Sequence, residues 1–296
     1  MPRGQADRPA LRFFASKARC ALWVVSNFTR HTTYVEEFGY GGSLLLAKRP
    51  ARFEVFNNVN DDVGNFFSVL RDRRDELVAA LRMTPYARNE FRAAWLPADE
   101  PLERARRLYV RSWQGHSAAA TMAASPTAWR CPRPARGTSA GAVEEWNHLD
   151  HLLLLAERLK RVAVECDDWE AVFQRYDSTD TLHFIDPPCV RLARGRSWGS
   201  GSTVRALDRR EHERIAEVAR AARGKVVVSG HPRALYEELY GDWQTVSTSV
   251  GGRRGGTETL WLSPAAATDI EPLLPFAEQG LQSLHAGVPL AAAQCA

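Results

Sequence analysis

The chain has 296 residues, 45% hydrophobic and 25% charged, with a net charge of +4. That balance suits a globular protein with one substantial core. No apolar run approaches the roughly 18–20 residues needed to span a bilayer. The segment Met1-Pro2-Arg3-Gly4-Gln5 is polar and lacks a secretory stretch, so a cytoplasmic protein with no membrane partner is expected. The five cysteines, Cys20, Cys131, Cys166, Cys189 and Cys295, are widely spaced with no CxxC pair, which argues against a zinc site or a disulfide framework.

In chain order, short runs rich in β-branched and aromatic residues predict strands at 34–38, 52–56, 161–166, 181–185, 225–229, 245–250 and 258–262. Val226-Val227-Val228 is continuously apolar, as in a strand covered on both faces. Between strands, helical spacing predicts a helix over 61–81, carried by Val63, Phe66, Phe67, Leu70, Leu77 and Leu81. A second follows Leu152, Leu155, Leu159 and Val162, and a third spans 208–223 before Gly224. Alternating strands and helices imply a doubly wound, mostly parallel α/β sheet, a Rossmann-like class.

The alternation fails over 86–141, which reads as an inserted, mainly helical region. Residues 101–136 hold seven arginines against one acid, Glu103, a larger local excess than the whole chain carries. Such a concentration suits a phosphate-rich partner or, equally, a solvated helix face. Residues 265–296 are rich in Ala and Leu and carry no evident role.

Ligands of parallel α/β sheets bind at the C-terminal ends of strands. Two such ends stand out. After the first strand comes Glu36-Glu37-Phe38-Gly39-Tyr40-Gly41-Gly42-Ser43, whose glycines allow close backbone approach to a nucleotide-like ligand. At the next strand's end, where an acid would accept hydrogen bonds from ribose hydroxyls, stand Asn57-Asn58. After the strand at 181–185 comes Asp186-Pro187-Pro188-Cys189, a rigid loop with few backbone donors. An aspartate oxygen and a proline-flanked carbonyl can both accept hydrogen bonds from the weakly nucleophilic amine of adenine. They thereby stabilise the charge that develops as a methyl group is transferred.

In this order of motifs the chain resembles the Dam-like, D12-class DNA adenine-N6 methyltransferases, which include phage and prophage forms. The likeness runs from about residue 11 to 264. It rests on a Lys17 segment, the glycine loop, the long insertion, the Asp186-Pro187-Pro188 loop and the closing Glu258-Thr259-Leu260-Trp261-Leu262 strand. The resemblance implies a Rossmann-like methyltransferase fold, with a catalytic domain from 11–85 and 142–264 and a target-recognition region at 86–141. It implies S-adenosylmethionine as methyl donor with no metal and double-stranded DNA as partner, and leaves open whether the chain acts as a monomer. Lys17, Glu36, Phe38, Gly39 and Gly42 would line the cofactor pocket, Asn58 would face the ribose, and Asp168 would accept from the cofactor's adenine amine. Asp186 and Pro187 would bind the target amine, with Pro188 and Cys189 completing the catalytic loop. Arg88, Arg111, Trp113, Gln114, Trp129 and Arg130 would contact DNA. Four positions depart from the family pattern. Ala15 stands in place of a glycine, Glu37 in place of proline, Asn58 in place of the ribose acid and Cys189 in place of an aromatic that stacks on the flipped base. Together they favour, as the alternative, a catalytically impaired relative that still binds DNA.

Overall fold

The computed structural model describes residues 8–13, 17–121, 123, 125–131, 140–188, 207–250, 256–268 and 270. Seven strands form one sheet: β1 (Thr33–Glu36), β2 (Phe53–Asn57), β3 (Val162–Glu165), β4 (Thr181–Ile185), β5 (Lys225–Gly230), β6 (Gln244–Val250) and β7 (Gly256–Leu262). Their order is β3-β2-β1-β4-β5-β7-β6. The first five strands pair in parallel, while β7 runs antiparallel to both β5 and β6. Strand order reverses between β1 and β4, the place where open α/β sheets hold ligands. Each predicted strand is present, with no end shifted by more than two residues.

All five residues of β4 are buried, as befits a central strand covered on both faces. On one face Tyr34, Phe56, Leu182 and Phe184 join a core with Val24 of α1 (Ala21–Val25), Phe66, Phe67 and Leu70 of α3 (Asp61–Asp72) and Leu152, Leu155 and Leu159 of α8 (Asp150–Leu159). On the other, Val35 and Val55 meet Val172 of α9 (Trp169–Tyr176). Ile185, Val226 and Val228 pack with Ile215 and Ala219 of α10 (Arg209–Arg220) and Tyr236 and Tyr240 of α11 (Ala234–Tyr240).

The helix expected over 61–81 is two helices. Arg73, at φ −130° and ψ 36°, ends α3 and begins α4 (Arg74–Arg82). Val162, read as the end of a helical stripe, is the first residue of β3. The region 86–141 holds α5 (Arg88–Ala93), α6 (Pro101–Gln114) and the start of α7 (Ala140–Asn147). Helix α6 packs into the same core as α3, with the Tyr109 and Phe66 rings stacked 6.2 Å apart. Among the described residues, then, the region's main helix shares the core of the sheet domain.

A buried ionic cluster ties the sheet to its helices. Arg158 of α8 and Lys48, which follows α2 (Ser43–Ala47), both bind Glu54 of β2, with Lys48 Nζ 2.6 Å from Glu54 Oε1. Arg158 also donates to the Leu45 carbonyl at 2.9 Å. Of the tail, Thr268 and Ile270 lie against Thr29, and 271–296 fall outside the described residues. No helix among the described residues is long and apolar enough to cross a membrane.

Candidate functional site

The C-terminal ends of β1 and β4 sit side by side, with Glu36 opposite Phe184 in the ladder. Between them lies a narrow pocket with a cavity volume of about 10 Å³, lined by Lys17, Glu36, Gly39, Tyr40, Gly41, Ser43, Leu44, Phe184 and Asp186. That is room for about one water, against the roughly 300–1,000 Å³ of small-molecule pockets, so the walls must part to admit a ligand.

The charges in this pocket are arranged around Lys17. Its Nζ lies 3.1 Å from Asp186 Oδ1 and 2.7 Å from Glu258 Oε1. Burial works to lower the Lys17 pKa, but the two carboxylates outweigh it, so the ammonium is held. Burial pushes the Asp186 pKa up to about 6, with Lys17 opposing and Glu258 reinforcing the rise. Glu36 is 3% exposed and accepts hydrogen bonds from the Leu45 N–H and the Tyr34 hydroxyl. Burial pushes its pKa up to about 8, so at neutral pH it is mostly a neutral acid.

The glycine loop owes its shape to the two asparagines that end β2. Asn57 Nδ2 donates to the Glu37 carbonyl and Asn58 Nδ2 to the Tyr40 carbonyl, each at 3.0 Å. The Gly39 N–H donates to the Asn57 carbonyl. A Cβ at Gly39 would meet the Phe56 ring at 2.2 Å, and Gly42 has φ +67°, so both positions need glycine. Tyr40 has φ +44°, the sole non-glycine residue with positive φ among those described. Such a conformation costs about 1 kcal/mol or more and persists where surroundings enforce it. Here Asn58 enforces it, and the Tyr40 ring packs edge-on to Phe13.

Lys17, Glu36, Gly39 and Asp186 are therefore gathered in one pocket, whereas the remaining expected ligands lie elsewhere. Asn58, expected at the ribose, has both polar atoms engaged, since its Oδ1 accepts from the Asn60 N–H. A carboxylate there would have no proton to donate to Tyr40, which is the physical reason for asparagine. Asp168 is exposed and caps α9 by accepting from the Glu170 N–H. Phe38 stacks on Trp169, next in chain, with ring centroids 6.0 Å apart. Gly42 shapes the loop from outside the lining. Pro187 is buried, and the Pro188 carbonyl bonds His212 of α10, which anchors the loop. Cys189 and Ala15 fall outside the described residues.

Glu37 turns away from the pocket. Its Oε1 lies 2.6 Å from Nδ1 of His183, in the middle of β4, and both side chains are fully buried. Asp177 Oδ1 stands 3.3 Å from the other ring nitrogen, and Phe173 stacks on the ring at 3.9 Å. Burial works to lower the His183 pKa, but Glu37 and Asp177 raise it above its ordinary value.

The expected DNA face is mostly turned inward. Trp113 is buried and donates Nε1 to the Ala10 carbonyl at 3.1 Å. Gln114 is fully buried, donating to the Pro85 carbonyl and accepting from Trp129 Nε1. Arg111 pairs with Asp62 at 2.8 Å beneath Trp95. Arg130 pairs with Glu145 at 2.7 Å. Arg88 is exposed, its guanidinium 4.5 Å from the centre of the Trp129 ring. The helical arginines also find acids from other segments: Arg104 pairs with Asp61 and Asp62, and Arg106 with Glu90. The basic excess read from residues 101–136 is thus neutralised in large part by α3 and α5, and Arg133 and Arg136 lie outside the described residues.

Glu258, Tyr40, Ser43 and Phe184 join the site without having been singled out in the sequence. For Glu258 the signal was an acid inside a strand that ends in Leu260-Trp261-Leu262, but its relevance depends on β7 running antiparallel. No protein-family model matches this chain, and neither does any curated protein.

In charge, the pocket fits the methionine end of S-adenosylmethionine: Lys17 for a carboxylate, and Glu36 and Asp186 for an ammonium and a sulfonium. For the nucleoside end, Asn58 is already committed to the loop.

Proposed function

We propose that the chain is an S-adenosylmethionine-dependent methyltransferase acting on the N6 amine of adenine in duplex DNA. The observation that carries this reading is Asp186. It is a buried acceptor at the end of the central strand, followed by two prolines and flanked by Lys17 and Glu36 at the switch point of the sheet. The strand order, with antiparallel β7 between β5 and β6, supports the methyltransferase fold that the sequence resemblance implies.

The cofactor supplies an electrophilic methyl group on a positively charged sulfur. The protein's part is to hold acceptors where positive charge grows. Asp186 and the Pro187 carbonyl accept hydrogen bonds from the target amine and draw it toward tetrahedral geometry. Prolines at 187 and 188 contribute no N–H, so the loop presents acceptors rather than donors. Lys17 would hold the cofactor carboxylate, and Glu36 would lose its proton to solvent and pair with a cationic group. The adenine must leave the duplex to reach this edge. The arginines of α6 add little to the DNA assignment, because they are paired within the fold.

The experiment is incubation of purified protein with unmethylated plasmid DNA and S-adenosylmethionine, with Asp186→Ala as control. N6-methyladenine formed by wild type and lost in the variant is the expected result. Its absence in every sequence context tested overturns the proposal.

A second reading, a catalytically impaired DNA-binding relative, is favoured by one observation: the pocket, of about 10 Å³, is walled by strained Tyr40, held in place by the Asn58 side chain that the ribose would need. Retention of duplex DNA binding without cofactor binding would select it.

A further inference from the structure

Glu258 has no part in the chemistry described so far, yet it occupies the centre of the charge cluster. It is 3% exposed, and Ser229 Oγ donates to its Oε1 at 2.8 Å. Because β7 runs antiparallel to β5, with Thr259 opposite Gly230, Glu258 reaches the same sheet edge as the end of β4. A buried carboxylate inside a strand is costly unless paired. Its ionic partner is Lys17, from the opposite end of the chain, and that same ammonium also binds Asp186.

An ammonium has three donors, so shared between two carboxylates it can release one and keep the other. Lys17 engages one oxygen of Asp186, so the carboxylate keeps acceptor capacity for an incoming amine, and that amine competes with Lys17 for the carboxylate's charge. Glu258 lets Lys17 yield without leaving. Its contact is the shorter of the two, 2.7 Å against 3.1 Å, and its oxygen is fixed by Ser229.

We infer that Glu258 is a positioning residue of this site, the seat that retains the Lys17 ammonium beside Asp186 while Asp186 turns to the ligand amine. The identity of that amine rests on the proposed function, whereas the shared ammonium does not. The charged and titratable groups facing Asp186 are Lys17 and Cys20 from the first segment, Glu36 from β1, His231 after β5 and Glu258. Lys17 and His231 favour its ionisation, and Glu258 opposes it. Glu258→Gln removes the opposing charge and leaves Asp186 as the carboxylate that pairs with Lys17.

The test is a pH titration of the Asp186 carboxyl by carbon NMR in wild type, Glu258→Gln and Glu258→Asp, alongside the pH profile of methyl transfer. In Glu258→Gln the Asp186 midpoint is expected to fall by about one pH unit. The acid limb of the rate profile should move with it, and the maximal rate should drop roughly tenfold because Lys17 now stays on Asp186. Glu258→Asp keeps the charge, so its midpoint should stay near wild type with an intermediate rate. It also decides the matter if Glu258→Gln fails to fold, since a rate and midpoint both equal to wild type would then overturn the inference. A folded Glu258→Gln with an unmoved midpoint overturns it too. Absence of methyl transfer in wild type counts against the proposed function, and the NMR midpoints still decide the role of Glu258.

Discussion

Glu37 Oε1 lies 2.6 Å from His183 Nδ1, and neither side chain is exposed to solvent. Glu37 stands where the resembled family has proline, next to the ligand loop, and would read as a degraded motif. The structure gives it a partner on the far face of the sheet instead. Glu37 is paired with a histidine in β4, and its charge adds to the burial that raises the Glu36 pKa.

That pair predicts a double-mutant signature. Replacing His183 by Leu strands a buried carboxyl and should cost about 3–5 kcal/mol, whereas Glu37→Leu with His183→Leu should recover much of the loss. Denaturant unfolding of the two single variants and the double variant measures the coupling. Because the folded pKa of His183 is raised, its contribution is fully present below about pH 6.5, the ordinary histidine value, and fades as pH rises through the folded value.

Cofactor binding should release a proton. Glu36 is mostly protonated below about pH 8, and a cationic ligand beside it favours the ionised form. Affinity for S-adenosylmethionine should therefore climb, by up to about tenfold per pH unit, until pH approaches 8. Calorimetry in buffers of different ionisation enthalpy counts the protons, and Glu36→Gln should abolish the release.

Asp186 should trade stability for activity. Its folded pKa of about 6 exceeds the ordinary 3.8, so its stabilising contribution is complete below about pH 4 and is lost as pH rises through 6. Asp186→Asn removes the buried charge and leaves Lys17 paired with Glu258. It should raise stability at pH 7–8 by about 1–3 kcal/mol, read by thermal unfolding. Methyl transfer should fall on the order of 10²–10³-fold. In wild type the rate should decline below about pH 6, where Asp186 takes up its proton.

The Arg158–Glu54–Lys48 cluster predicts a large local dependence. Arg158→Met leaves Glu54 with Lys48 alone and an unfilled Leu45 carbonyl, and should cost about 3–5 kcal/mol in denaturant unfolding. The position of the Asp186 midpoint should not change, since the cluster lies outside the pocket lining.

How much of this was readable in advance differs by level. The strands were legible because continuous apolar runs such as Val226-Val227-Val228 have few alternative uses. The break at Arg73 was not, since apolar spacing continues from Leu70 to Leu77 with no Gly or Pro between. Lys17, Glu36 and Asp186 were legible by resemblance and do meet in one pocket. The pairing of the insertion's arginines was not legible, because their acids come from other segments: Asp62 lies 49 residues from Arg111 in the chain. Asn58 looked like a lost ligand, but its amide donates to Tyr40, a contact that only the folded loop reveals.

The most direct measurement is calorimetric titration of the purified chain with S-adenosylmethionine at pH 8, beside Lys17→Met. The account predicts saturable binding at one site, weakened at least tenfold in the variant. No binding by wild type at millimolar cofactor, or equal binding by wild type and Lys17→Met, would contradict it.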